Sequence, residues 1–174
     1  MLKTTNAKVD TAFFKPDELE RVISYYHYMF DDNPTRLSTK AGCWQPSVFK
    51  QNKAEVYVYH LTEFVDQDIF GWLSSLLKER IGKEIVDMRY YQYLPGTSVG
   101  WHDDNHTRGA ASIYLQKDWK KEYGGLFMWE ETDGSGIHAV VPEQNTMVYQ
   151  EGCWHASTPT YHFSPDRIVL QVFF

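Results

Sequence analysis

The chain has 174 residues, of which 43% are hydrophobic and 23% are charged, and these values are typical of one globular domain. Its net charge of −6 argues against a nucleic-acid partner, and its two cysteines are too few for a disulfide framework or a thiolate zinc site. The polar start and the lack of a long apolar run predict a cytoplasmic protein with no membrane partner.

Two amphipathic helices are predicted in the first half of the chain. Residues 16–30 begin with a proline and two acids and then carry apolar residues at helical spacing. Residues from about 66 to 81 repeat this pattern and stop at Gly82. Between the helices, residues 55–61 predict a strand, and residues 31–53 form a long polar segment that is either a substrate lid or a surface connection.

Beyond Gly82 the pattern changes to short segments of β-branched and aromatic residues that are separated by turn signals. The predicted strands are residues 84–94, 110–116, 124–131, 137–142, 145–150 and 167–174. The sequence TDGSG, residues 132–136, predicts a hairpin turn. These elements predict an α+β, mainly β fold, a jelly roll with the N-terminal helices packed on one sheet. We expect one domain over residues 1–174, with helical support over about 1–84 and the core over about 85–174.

Potential metal ligands are concentrated in the segment GWHDDNHTRG, residues 100–109. Side chains two positions apart in a strand share a face, so His102 and Asp104 would project together while Asp103 points away. His155 could supply a third ligand, and two imidazoles with one carboxylate are the ligand set of non-haem Fe(II) oxygen chemistry. The ordinary alternatives are a solvated polar loop at His102 and a core histidine bonded to the backbone at His155.

Arg167 is an isolated cation at the start of the last apolar strand. A buried arginine needs an anionic partner, which is either a structural salt bridge or the carboxylate of a ligand. The planar guanidinium matches a carboxylate in bidentate geometry, so a carboxylate clamp is the more specific of these two interpretations.

The order and spacing of these residues resemble the 2-oxoglutarate and Fe(II)-dependent dioxygenases, specifically their prolyl 4-hydroxylase-like branch. The resemblance covers roughly residues 85–174 and is carried by His102-x-Asp104, His155 and Arg167, together with the segments YLPGTSVGWHDD, SIYLQKDWKKEYGGLF and PEQNTMVY. It implies a double-stranded β-helix and an enzyme that uses Fe(II), 2-oxoglutarate and O2. Ascorbate is expected to stimulate the reaction, which releases succinate and carbon dioxide.

The resemblance also implies roles for individual residues. The iron ligands would be His102, Asp104 and His155. Arg167 would bind the distal carboxylate of 2-oxoglutarate together with Tyr114, and Tyr93 would face the cosubstrate. Further residues expected in or near this cavity are Thr158 and Gln171 beside the cosubstrate, and Tyr91 and Arg89 as substrate-binding residues. Ordinary strand packing is the alternative for these four.

Two departures from related branches narrow the expected reaction. Asp104 stands where halogenases of the superfamily have a small residue, and Phe173 stands where nucleic-acid demethylases have a second arginine. We therefore predict hydroxylation of an aliphatic carbon of a prolyl residue in a peptide or protein, with a free amino acid or small metabolite as the close alternative. A jelly-roll module that binds a metal or ligand without turnover, and a cupin-type metalloenzyme, are alternatives that a clamp of Arg167 and Tyr114 would disfavour.

The remaining candidates match no position of this ligand set. His106, His138 and His162 are interpreted as surface residues or as neighbours of the ligands. Cys153 would share the face of His155, either as an inert buried thiol or as an oxidation target. The sequence predicts no particular oligomeric state.

Overall fold

The computed structural model describes residues 7–30, 56–61, 67–104, 107–131 and 133–174. The helices are α1 (Pro16–Phe30) and α2 (Gln67–Ile81), and Lys121–Tyr123 form a short 3-10 turn. The strands are β1 (Ala7–Asp10), β2 (Val56–His60), β3 (Asp87–Tyr93), β4 (Val99–His102), β5 (Ala110–Tyr114), β6 (Phe127–Glu130), β7 (Ile137–Val140), β8 (Met147–Gln150), β9 (His155–Ser157) and β10 (Arg167–Phe173). The predicted lid, residues 31–53, lies outside the described residues.

The strands form two antiparallel sheets. The larger sheet has the order β1-β8-β5-β10-β3-β2, and the smaller sheet has the order β4-β9-β6-β7. In the larger sheet Arg167 lies opposite Tyr93, and in the smaller sheet His102 lies opposite His155. The predicted α+β, mainly β jelly roll is thus confirmed, with the candidate histidines on one sheet and the candidate arginine on the other.

Both helices pack on the outer face of the larger sheet, as predicted. Their buried side chains are Val22, Tyr26 and Met29 of α1 and Leu73 and Leu77 of α2, and they meet Met88, Tyr90 and Leu170 of the sheet. The Tyr90 hydroxyl donates a hydrogen bond to the Val22 carbonyl oxygen at 3.0 Å. Because alternate residues of a strand face opposite sides, Tyr91 and Tyr93 of β3 instead face the smaller sheet, where they pack with Phe127.

The N-terminal part of the chain contributes more than helical support. β2 pairs with β3 and becomes one edge of the larger sheet. β1 pairs with β8 at the opposite edge, with Ala7 opposite Gln150, although the sequence pattern does not predict a strand there. Three of the four residues of β1 are exposed, so this edge strand lacks the hydrophobic alternation by which strands are recognised.

Residues 133–136, the described part of the predicted turn, lie between β6 and β7. The Glu131 amide donates a hydrogen bond to the Gly136 carbonyl oxygen, and Gly134 has a positive φ of 71°. In the part of the chain that the structure describes, no helix is long and apolar enough to cross a membrane.

Candidate metal and cosubstrate site

The two sheets line a common cavity in which polar side chains converge among apolar ones, as is usual for a small-molecule site. Its polar lining consists of Tyr93, His102, Asp104, Ser112, Tyr114, His155, Ser157, Arg167 and Gln171, and its apolar lining of Val99, Phe127, Ala156 and Val169. The cavity therefore brings together the three expected metal ligands, the expected clamp and both tyrosines expected beside the cosubstrate.

His102, Asp104 and His155 form a compact group at this cavity. Each offers one ligand atom, and the three atoms lie within 4.8 Å of one another. His102 Nε2 is 3.8 Å from Asp104 Oδ1, and His155 Nε2 is 3.6 Å from Asp104 Oδ2. Asp103 is half-buried and lies outside this group.

Two local features bring these residues together. The pairing of β4 with β9 places His102 directly opposite His155. Strand alternation was expected to bring in Asp104, but β4 ends at His102, so Asp104 lies in the following turn. There the backbone amide and the hydroxyl of Thr107 both donate to the Asp104 carbonyl oxygen, at 2.9 and 3.1 Å, and fix this turn.

Both imidazoles are prepared to bind a cation through Nε2. His102 Nδ1 lies 2.8 Å from the Gly100 carbonyl oxygen, and His155 Nδ1 lies 3.1 Å from the Cys153 carbonyl oxygen. Because a carbonyl oxygen only accepts hydrogen bonds, each Nδ1 is a donor, and Nε2 is the ring nitrogen left to bind a metal. Burial, followed by the nearby His102, lowers the pKa of His155 to about 4, so this imidazole is neutral at pH 7.

The Asp104 carboxylate completes a donor set that fits a metal ion. Its Oδ2 accepts a hydrogen bond from Gln150 Nε2 at 2.8 Å, whereas its Oδ1 is buried and has no hydrogen-bond partner among the described residues. A buried carboxylate oxygen without a partner is costly, and a divalent cation would satisfy it. Two imidazoles and one carboxylate are the ligands of mononuclear non-haem iron, so these residues could hold Fe(II).

Arg167 lines the cavity as a buried cation that has no anionic partner among the described residues. Its side chain is 2% exposed, NH1 donates to the Gly125 carbonyl oxygen at 3.0 Å, and NH2 donates to Ser157 Oγ at 3.1 Å. Its Nε is buried without a partner, and the guanidinium lies 4.4 Å from the centre of the Tyr93 ring. A ligand carboxylate would supply the missing negative charge.

Tyr114 lines the same cavity and is suited to donate a hydrogen bond. Burial raises the pKa of the Tyr114 hydroxyl well above its usual value, although the positive charge of Arg167 opposes this shift. The hydroxyl is therefore protonated at neutral pH and can donate a hydrogen bond. Arg167 and Tyr114 together offer the charge and the donor that a carboxylate needs.

A Gly-Gly bend leaves room for the guanidinium. Gly124 and Gly125 both have positive φ, and a Cβ atom at Gly125 would lie 3.3 Å from Arg167 NH1 and 2.9 Å from Thr160 Cγ2. Glycine therefore serves two purposes at position 125, because the backbone conformation favours it and because a side chain would crowd the clamp.

Three of the expected residues do not line the cavity. The Thr158 hydroxyl accepts a hydrogen bond from the Leu126 amide at 2.9 Å, and strand alternation places Ser157, not Thr158, on the His155 face. Arg89 pairs with Asp87 at 2.5 Å and also donates to the Tyr91 hydroxyl at 3.3 Å. Tyr91 is buried under this contact and stacks on Tyr93, with ring centres 5.6 Å apart.

Of the other residues singled out in the sequence, those that the structure describes are not among the three ligand residues. His138 is exposed, stacks on Trp129 and lies 3.0 Å from Glu131. His162 is exposed, and His106 falls outside the described residues. Cys153 is buried, and this burial raises the pKa of its thiol to about 11, which favours the inert form.

Gln150 is a site residue that the sequence pattern did not single out. It is the last residue of β8, it is 2% exposed, and its amide contacts both Asp104 and His155. A polar side chain on the inner face of an otherwise apolar strand, five residues before a candidate ligand, was the available signal. Ser112 and Ser157, which were not predicted either, line the cavity itself.

Comparison with solved structures shows the same fold in several enzymes. A prolyl-4-hydroxylase from Pseudomonas putida matches with a TM-score of 0.68 and 17% identity, over 98% of this chain and 92% of that chain. A second match is a prolyl hydroxylase from Trichoplax adhaerens in complex with a peptide fragment of the hypoxia inducible factor oxygen degradation domain. Its TM-score is 0.73 and its identity 12%, over 98% of this chain and 83% of that chain. The α-ketoglutarate-dependent epimerase SnoN of nogalamycin biosynthesis matches with a TM-score of 0.69 and 8% identity, over 97% of this chain and 77% of that chain.

At these identities the structural likeness shows the fold alone. A comparison with curated protein sequences finds no match. The family model of the 2OG-Fe(II) oxygenase superfamily, however, matches residues 88–174, which make up half of the chain and include every residue that lines the cavity. The chain therefore belongs to the 2OG-Fe(II) oxygenase superfamily, as the sequence predicted, and is a dioxygenase that uses Fe(II), 2-oxoglutarate and O2.

Proposed function

We propose that the protein hydroxylates an aliphatic carbon of a prolyl residue in a peptide or protein, with Fe(II) held by His102, Asp104 and His155. One observation carries this site: the same cavity contains a carboxylate oxygen without a partner beside two imidazoles, and a buried guanidinium without an anion. The first group fits a cation and the second fits a carboxylate, which are the two requirements of 2-oxoglutarate and iron.

The residues of the chain divide the catalytic tasks. When bound, iron and 2-oxoglutarate supply O2 activation, in which the oxo-acid is oxidised to succinate and CO2 and one oxygen atom is inserted into a substrate C–H bond. Arg167 and Tyr114 fix the distal carboxylate and so orient the cosubstrate toward the histidines. Val99, Phe127 and Val169 line the same cavity with apolar surface, which excludes water from the reacting groups.

The prolyl substrate is supported by likeness of fold. Two of the structures with the same fold are prolyl hydroxylases, and one of them contains a bound peptide.

A small metabolite is the second candidate substrate. The observation in its favour is that the epimerase SnoN, from nogalamycin biosynthesis, has the same fold.

The test is a screen that couples succinate release to product mass. Proline-containing peptides, the same peptides with alanine in place of proline, capped N-acetyl-prolinamide and free proline are incubated with Fe(II), 2-oxoglutarate and ascorbate. We expect the proline peptides and the capped residue to gain the mass of one oxygen atom in proportion to the succinate released. The Asp104→Ala variant is the control for background oxidation.

Two other outcomes are informative. Product from free proline or another free metabolite, with none from any peptide, would contradict the prolyl-peptide assignment while keeping the oxygenase. If succinate is released at the same rate with and without every added substrate, the protein is still a 2-oxoglutarate-dependent enzyme, but both candidate substrates are wrong.

A further inference from the structure

Gln150 contacts two of the three candidate iron ligands at once. Its Nε2 lies 2.8 Å from Asp104 Oδ2 and 3.3 Å from His155 Nε2. Its Oε1 accepts a hydrogen bond from the Cys153 thiol at 3.4 Å. The side chain is 2% exposed, so these contacts are made without competition from water.

Chemistry fixes the orientation of this amide. The Asp104 carboxylate only accepts hydrogen bonds, so the NH2 end of Gln150 and not its oxygen must face Asp104. His155 carries its proton on Nδ1, where it bonds to a backbone carbonyl, so without a metal its Nε2 can accept from the same NH2 group. A metal at Nε2 would take over that lone pair, whereas the bonds of Gln150 to Asp104 Oδ2 and to the Cys153 thiol would remain.

The backbone under Gln150 is held on both sides. Gln150 lies opposite Ala7 of β1 and opposite Ala110 of β5, so its strand is paired along both edges. A side chain on such a strand is better placed to hold another group than one on a loop. Asp104, by contrast, lies in a turn after the end of β4, where the strand pairing no longer fixes it.

We propose that Gln150 is a positioning residue that holds the Asp104 carboxylate by Oδ2, so that Oδ1 alone is presented to the metal. This inference rests on the proposed iron site of His102, Asp104 and His155. Oδ1 is the oxygen without a partner, and Oδ2 is the one already occupied. A carboxylate that binds through one oxygen leaves more coordination positions for cosubstrate and O2 than one that binds through both.

The test compares two buried glutamines. Gln150→Met removes the amide but keeps a side chain of similar length and volume. Gln116→Met is the matched control, because Gln116 is also buried and its amide bonds only to the backbone, at Pro142 and Ile168, away from the cavity lining. Both variants lose buried hydrogen bonds and should melt at lower temperature than the wild type.

Metal binding separates positioning from packing. Metal-free wild type and variants are titrated with Co(II) alone without oxygen, and the dissociation constant and the visible ligand-field spectrum are recorded. We expect Gln150→Met to bind Co(II) about 10- to 100-fold more weakly and with an altered spectrum, the usual scale for losing a partner of a metal ligand. Gln116→Met should match the wild type in both. Gln150→Leu serves in the same comparison if the methionine variant does not fold.

Each contrary outcome has a distinct meaning. If Gln150→Met and Gln150→Leu bind Co(II) as tightly as the wild type, or more tightly, and with an unchanged spectrum, Gln150 only packs and the inference is overturned. If the wild type itself does not bind Co(II), the proposed iron site is overturned together with the role of Gln150.

Discussion

Each candidate iron ligand is prepared by a different neighbour. The carbonyl oxygen of Gly100 holds the proton of His102 on Nδ1, and the carbonyl oxygen of Cys153 does the same for His155. Gln150 occupies one oxygen of Asp104 and leaves the other without a partner. All three ligand side chains are therefore oriented by hydrogen bonds before a metal binds, which lowers the reorganisation that binding requires.

Alanine substitution of the three ligands should separate metal binding from folding. We expect His102→Ala, Asp104→Ala and His155→Ala each to abolish iron binding and turnover while the melting temperature stays close to that of the wild type. The reason is that the hydrophobic clusters of both sheets do not depend on these side chains. Metal titration, succinate release and thermal melting measure the three quantities.

Asp103→Ala is the control for this series. Asp103 is adjacent in sequence but lies outside the group of ligand atoms, so its loss should be mild. An inactive Asp103→Ala together with an active Asp104→Ala would show that the carboxylate ligand has been assigned to the wrong residue.

Arg167 should contribute to cosubstrate affinity at a cost to stability. Arg167→Met should weaken 2-oxoglutarate binding by about 2–5 kcal/mol, because the carboxylate would be buried without its charged partner. Tyr114→Phe should weaken it by about 1 kcal/mol, the value of one hydrogen bond. Calorimetric titration of 2-oxoglutarate into the Co(II)-loaded protein measures both.

The unliganded Arg167→Met protein should also be at least as stable as the wild type, since a buried guanidinium without an anion is costly. A melting temperature at or above that of the wild type would show that any loss of 2-oxoglutarate binding in Arg167→Met is not caused by misfolding. Unchanged 2-oxoglutarate affinity in a folded Arg167→Met protein would remove the clamp from the mechanism.

At the scale of elements, the Gly-Gly bend before β6 connects backbone conformation to cosubstrate binding. Gly125 and Gly134 have similar positive φ values, 66° and 71°, but a Cβ atom would be crowded by Thr160, Trp119 and Arg167 only at Gly125. Alanine at either position should cost about 1–2 kcal/mol for the left-handed backbone. Gly125→Ala should cost more than that and should also weaken 2-oxoglutarate binding.

Gly134→Ala thus serves as the matched control, because nothing lies within 4 Å of its added carbon. Denaturant unfolding of both variants gives the difference in stability, and titration with 2-oxoglutarate gives the difference in binding. Equal losses of stability, with equal affinity, would mean that the space around Gly125 has no bearing on the clamp.

The elements also show where sequence reasoning succeeds and where it fails. β3 and β10 are long and largely apolar, so their pattern predicted them within a few residues of their bounds, Asp87–Tyr93 and Arg167–Phe173. β1 has four residues and is mostly exposed, and no hydrophobic pattern marks it. Short edge strands of this kind are specified by their partner in the sheet and not by their own sequence.

At the scale of the whole molecule, the residues that carry chemistry were more predictable than the contacts between them. His102, Asp104, His155 and Arg167 are rare residue types in apolar or turn-rich segments, and their order along the chain was sufficient to predict the family that the family model confirms. The roles of Gln150 and Ser157 depend on which side chains meet across two sheets, and that information is absent from any single segment.

The fold also limits what can be predicted about the substrate. Prolyl hydroxylases and an epimerase share this architecture with TM-scores between 0.68 and 0.73, although their identities to this chain are between 8% and 17%. A scaffold with such varied relatives does not determine the substrate by itself.

The distribution of the site over two sheets has a consequence for how the protein folds. The smaller sheet carries the histidines, and the larger sheet carries Arg167, Tyr93 and Tyr114. A partly folded chain with only one sheet in place would have either the metal-binding side chains or the carboxylate clamp, but not both. Turnover after refolding therefore reports on the docking of the sheets, whereas the return of secondary structure does not.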